Sequence, residues 1–126
     1  MPIPKPVLCP PFNTLRISHV EYGVSDLNAS RKFYSEILGL QITDEDSNTV
    51  YLRAMEERGH HCVILRKSKA VDVKVLGFKV FSENDLDKAE LYFKKIGKET
   101  NWVKRPFQGR TSVSYTHLTL PTKRIV

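Results

Sequence analysis

The stretch HVEYGVSDLNASRKFYSEILG (residues 19–39) decides the architecture, because FKVFSENDLDKAELYFKKIG (residues 78–97) repeats it. Leu27 answers to Leu86, Ser30 to Ala89, Phe33 and Tyr34 to Tyr92 and Phe93, and Ile37 to Ile96, each pair 59 positions apart. In both copies an alternating run leads into a capped turn and then an amphipathic helix. A unit repeated in the same order is an architectural statement in itself.

Working outward from the first copy, Leu15, Ile17, His19 and Glu21 alternate with Arg16, Ser18, Val20 and Tyr22. That period of two predicts a strand over residues 15–24. Asp26 is an N-cap, and Leu27, Ser30, Phe33, Tyr34, Ile37 and Leu38 then share one helical face. Gly39 stands where a helix ends in a left-handed residue. Short strands follow at 40–43, 50–53 and 62–65, separated by turn chemistry at 44–48 and 56–59. In the second copy a strand opens at Val73. Ser82 and Asp85 form a capping-box-like helix start. Leu86, Ala89, Phe93 and Ile96 point inward, Gly97 ends the helix, and 100–103 is the next strand. The fold class is α+β, built from tandem βαβββ modules. Module one covers residues 14–66, and a partial module two covers 73–111. A 59-residue offset from residue 66 reaches 125, so a full second unit would just fit, but residues 104–126 do not resemble the strands and turn that should complete it.

A length of 126 residues bounds the chain to one domain. It has no apolar run long enough for a membrane span and no basic-then-apolar leader. Residues 1–13 hold five of the seven prolines and predict an extended arm. Cys9 and Cys62 sit in unrelated surroundings, which argues against a disulfide framework and for a reduced, cytoplasmic setting. The net charge of +6 is spread among interleaved acids, so it reads as a solvated face rather than a nucleic-acid surface.

Residues 112–126 read SVSYTHLTLPTKRIV. The codons TCT GTC TCT TAT ACA CAT CTG of a common sequencing-library adaptor translate to the first seven of these residues, and the adaptor continues into the next four. We expect a non-native tail from adaptor read-through, in which His117 carries no functional information. Setting aside Lys123 and Arg124 lowers the charge to +4. The competing reading is an ordinary strand, since Val113, Tyr115 and His117 alternate with Ser114 and Thr116.

The residues as a set resemble the vicinal oxygen chelate superfamily of glyoxalases, fosfomycin-resistance proteins and extradiol dioxygenases. The resemblance is closer to the N-terminal domain of type I extradiol dioxygenases, of the homoprotocatechuate (3,4-dihydroxyphenylacetate) and catechol 2,3-dioxygenase kind. It is carried by SDLNASRKFYSEILGL (25–40), YLRAMEERGHHCVIL (51–65), LGFKV (76–80), DLDKAELYF (85–93) and PFQGR (106–110), within a domain spanning 14–111. The resemblance implies ring cleavage of a catechol by dioxygen at a non-haem Fe(II) or Mn(II). Two His and one carboxylate would hold that metal in a C-terminal domain beyond these residues. It further implies a homo-oligomer of the full-length protein, with no nucleic-acid or membrane partner. On that reading this chain is the non-catalytic half and carries no catalytic, cofactor-binding or metal-ligating residue.

His19 is the one metal-ligand candidate, on the strand where metal-binding modules of the superfamily place a ligand. Its expected partner, an acid on the last strand of the module, is missing from HHCVIL (60–65). His60 and His61, taken as strand neighbours, should point to opposite faces, one into the sheet and one into solvent. Cys62 reads as a small apolar filler, Trp102 as packing, and Arg105, Phe107 and Arg110 as loop residues rather than the mouth of an anion site. Two alternatives stay open. One is a stand-alone glyoxalase or fosfomycin-resistance-type metalloenzyme paired as a homodimer. The other is a non-enzymatic small-ligand-binding module.

Overall fold

The computed structural model describes residues 3–6 and 8–107, and the backbone of two strands at 111–115 and 118–121. The order is β1 (Thr14–Val24), α1 (Leu27–Lys32, running on into a π-helical turn, Phe33–Ile37), β2 (Gln41–Glu45), β3 (Thr49–Arg53) and β4 (Val63–Lys67). Then come β5 (Asp72–Val80), α2 (Glu83–Lys95), β6 (Asn101–Val103), β7 (Thr111–Tyr115) and β8 (Leu118–Pro121). One eight-stranded sheet runs β2-β3-β4-β1-β5-β8-β7-β6. β1 pairs with β4 in parallel, β5 pairs with β8 in parallel, and the two halves join along the antiparallel β1–β5 pair. The 59-residue repeat is thus visible as two βαβββ units set side by side.

Here the structure corrects one expectation. Residues after 110 do supply β7 and β8, in the positions a second module requires, so β5 is not left as an open edge. The physical reason is that an alternating extended run pairs with whatever sheet edge is open, whatever its origin. Module two remains the lesser one. β8 meets β5 at two register positions, whereas β4 meets β1 at five.

Each helix covers the sheet of its own module. Val50, Leu52 and Leu65 are buried under α1 together with Tyr22, Val24, Leu27 and Tyr34. Val80, Leu86, Ala89 and Phe93 form the second cluster, joined by Phe12 and Tyr92. The Asp26 side chain accepts from Ala29 N, and Ser82 with Asp85 makes a full capping box. Gly39 (φ 77°) and Gly97 (φ 81°) adopt the left-handed conformation expected of them.

The inward faces are narrower than periodicity suggests. Ile37 is 72% exposed, and Phe33, Leu38 and Ile96 are also exposed. The π-turn explains the first helix: each of its turns takes up an extra residue, so side chains spaced for 3.6 residues per turn drift off the buried face. Ile96 lies beyond the last residue of α2, where the helical register no longer governs its direction.

Candidate functional site

Along β1, Val20, Tyr22 and Val24 face the helices, so His19, Glu21 and Gly23 face the other side of the sheet. β3 and β4 follow the same logic. Val50, Leu52 and Leu65 go to the helix side, and Thr49, Tyr51, Ile64 and Arg66 to the opposite one. This helix-free face is where the chain gathers its chemistry.

His19 is 2% exposed. It lies over Gly77, its register partner on β5. A Cβ built at Gly77 would fall 2.4–2.9 Å from three atoms of the His19 ring, so glycine is required there by close approach rather than by its own backbone angle. Ser18 Oγ is 3.1 Å from His19 Nδ1, and the His61 ring stands edge-on to His19 at 5.4 Å between centroids.

His60 and His61 precede β4 in a loop, so strand alternation does not apply to them. Both are buried, and neither reaches into solvent as expected. Their Nδ1 atoms are 3.0 Å apart, which requires that one donates and the other accepts. His60 Nε2 also lies 2.7 Å from Asp44 Oδ2 on β2. The loop that aims them is fixed by Glu57. Its carboxylate accepts from both Arg16 terminal nitrogens at 2.9 Å and from Gly59 N at 2.9 Å. Phe107, which holds a left-handed φ of 59°, stacks flat on the His60 ring at 3.9 Å and meets Tyr51 edge-on. Burial pushes the Tyr51 hydroxyl pKa up. The result, among the described residues, is an aromatic stack of Tyr51, His60, His61 and Phe107.

Glu21 is the buried acid of this face, 5% exposed. Arg66 holds it through Nη2 (2.9 Å) and Nε (3.2 Å) and also reaches Thr49 Oγ1. The Glu21 hydrogen bond in turn holds the Arg66 guanidinium more firmly protonated.

This donor set does not fit a metal. A divalent ion needs about three protein ligands converging on one point. His60 turns its two ring nitrogens to His61 and Asp44, the His19 ring lies across Gly77, and Glu21 is bound by Arg66. Among the described residues no group of three or more His, Cys, Asp or Glu side chains could hold a metal ion. Cys62 is a half-buried free thiol, Trp102 is 41% exposed, and Arg105 is half-buried, while Arg110 and His117 lie outside the described residues.

Gly77 and Asp44 escape a reading of the sequence, which weighs Phe107 only beside Arg105 and Arg110, as a loop residue. Gly77 leaves a signal, a lone glycine inside an apolar strand run. Asp44 leaves none, because its partner His60 lies sixteen residues away in the chain.

The sequence profile of the Glyoxalase/Bleomycin resistance protein/Dioxygenase superfamily matches residues 16–116. The chain belongs to this superfamily. Within it, the chain is similar to an extradiol ring-cleaving dioxygenase from B. fuscum, at 34% identity and a TM-score of 0.83, over 98% of this chain and 36% of that one. It is similar to homoprotocatechuate 2,3-dioxygenase from Arthrobacter globiformis, at 30% identity and a TM-score of 0.82, over 90% of this chain and 37% of that one. The metapyrocatechase of Geobacillus stearothermophilus is 29% identical over 94 residues, 75% of this chain and 29% of the relative. The superfamily member described here therefore spans about a third of the length of these proteins.

Proposed function

We propose that this chain is the N-terminal, non-catalytic portion of an extradiol dioxygenase that opens a catechol ring with dioxygen. The observation that carries the reading is the lack of a convergent ligand set among the described residues, where no three His, Cys, Asp or Glu side chains could hold the metal such chemistry needs. On module one's side of the helix-free face, His60, His61, Tyr51 and Phe107 instead pack ring against ring. The likeness to ring-cleaving dioxygenases at 30–34% identity supports the choice of chemistry.

On this reading Fe(II) or Mn(II) and the catechol belong to a C-terminal half, and the whole protein is a cytoplasmic homo-oligomer. His19 is then structural, a ring seated on Gly77. The domain runs over residues 14–111 after an extended arm, and residues 112–126 are adaptor-derived. The support for that last point is the codon match itself.

Two measurements test the proposal. The genomic reading frame past Thr111 should continue into a second domain carrying two His and one Glu as metal ligands. The purified chain, supplied with Fe(II) or Mn(II) and either catechol or 3,4-dihydroxyphenylacetate, should show no oxygen uptake. A yellow ring-opened product from this chain alone, or one metal per chain retained through purification, would overturn it in favour of a self-sufficient metalloenzyme.

A further inference from the structure

Three turns meet at one end of the module-one sheet. β1 and β4 run parallel and stop there, and β3, antiparallel to β4, starts there. The turn after β1, the turn between β2 and β3 and the turn after β4 are thereby brought together. Backbone hydrogen bonds tie them to one another. Lys67 N donates to Asn48 O and Ser68 N to Val24 O, each at 2.8 Å.

Between these turns lies a hollow of about 640 Å³, lined by Ser25, Asn48, Arg66, Lys67, Ser68 and Lys69. The Arg66 guanidinium is committed to Glu21 and Thr49. The other side chains are not committed. Among the described residues, the side chains of Ser25, Asn48, Lys67, Ser68 and Lys69 make no hydrogen bond or ion pair. They bring ammonium, hydroxyl and amide donors to one place.

The acids nearby already hold donors of their own. Asp26 accepts from Ala29 N at 3.0 Å, and Asp46 accepts from Asn48 N and Thr49 N at 2.8 and 2.9 Å. Two ammonium groups facing one hollow repel each other, and an anion placed between them removes that cost. Lysine acts on phosphate as a compact point charge, and hydroxyl and amide donors complete the shell of an oxyanion. The cationic stretch is short. Asp26 lines the adjoining hollow with Lys67, and Asp46 stands in the β2–β3 turn, so a long polyanion would meet carboxylates beside the lysines.

We infer that this hollow binds a single phosphate group, as inorganic phosphate or as the phosphoryl end of a small ester, through Lys67 and Lys69 with Ser25, Ser68 and Asn48. The site uses none of the residues of the aromatic stack. It goes beyond the ring-cleavage reading and does not depend on it.

Amide chemical shifts of the 126-residue chain test it, titrated with sodium phosphate at an ionic strength held constant with sodium chloride. The expected result is a saturable response centred on Ser25, Asn48, Ser68 and Lys69. A parallel titration with glycerol phosphate distinguishes the two sources, since a site for the ester saturates at lower ester than phosphate concentration and a site for the free ion does the reverse. Lys67→Gln combined with Lys69→Gln, both at exposed positions, should weaken binding at least about tenfold with unchanged circular dichroism. Lys88→Gln, which removes an exposed charge on α2, should bind like the parent. A response that never saturates, a double variant that binds like the parent, or an equal loss from Lys88→Gln would each overturn the inference. Tighter binding of a single-stranded oligonucleotide than of phosphate would overturn it in favour of a nucleic-acid surface.

Discussion

His19 shows how far a single residue's meaning depends on its neighbours. The sequence marks it as a metal-ligand candidate, yet its ring fills the space that a Gly77 side chain would take. Gly77→Ala should therefore lower stability by about 1–3 kcal/mol in urea denaturation, the usual cost of overpacking a site that cannot yield. Combining it with His19→Ala should recover part of that loss, because the two changes share one contact. Phe107 carries the same lesson across modules. Phe107→Ala should cost about 0.5–1.5 kcal/mol through the lost stack on His60, and should raise amide hydrogen exchange in the 54–62 loop. The histidines themselves were legible as notable residues. Their pairing was not, because strand alternation was applied to a loop.

At the scale of elements, both helices and their end signals could be read directly, since Asp26, Ser82, Asp85, Gly39 and Gly97 act within a few residues of themselves. The π-turn could not, and it decides which apolar side chains are buried. Ile37→Lys should change stability by less than about 0.5 kcal/mol, whereas Leu86→Ala should cost about 2–5 kcal/mol. Helical periodicity alone would rank the two positions as equals. The N-terminus of α2 also sets an acid limit. Hydrogen bonding from Ser82 first, and then from Asn13 N, holds the Asp85 pKa below the usual carboxylate range. A folded-state pKa below the unfolded one means that this contribution is complete above the ordinary carboxylate pKa. It is lost as pH falls through the depressed value, that is, below about pH 4. Asp85→Asn should flatten the stability profile in that window, as followed by urea midpoints from pH 3 upward. Ser82→Ala should cost about 1 kcal/mol at neutral pH.

For the whole molecule, the repeat predicted two modules, and the sheet order β2-β3-β4-β1-β5-β8-β7-β6 shows how they join, along β1 and β5. The repeat, the caps, the alternation of β1 and the superfamily resemblance were all settled by residue order, because each rests on interactions or patterns local in the chain. Three things waited for the tertiary structure: the stacking of Phe107 on His60, the tie between Glu21 and Arg66, and the pairing of β8 with β5. Each joins side chains or strands tens of residues apart. Which distant groups meet is set by strand register and by the packing of both modules against one sheet, and no short-range pattern encodes that choice.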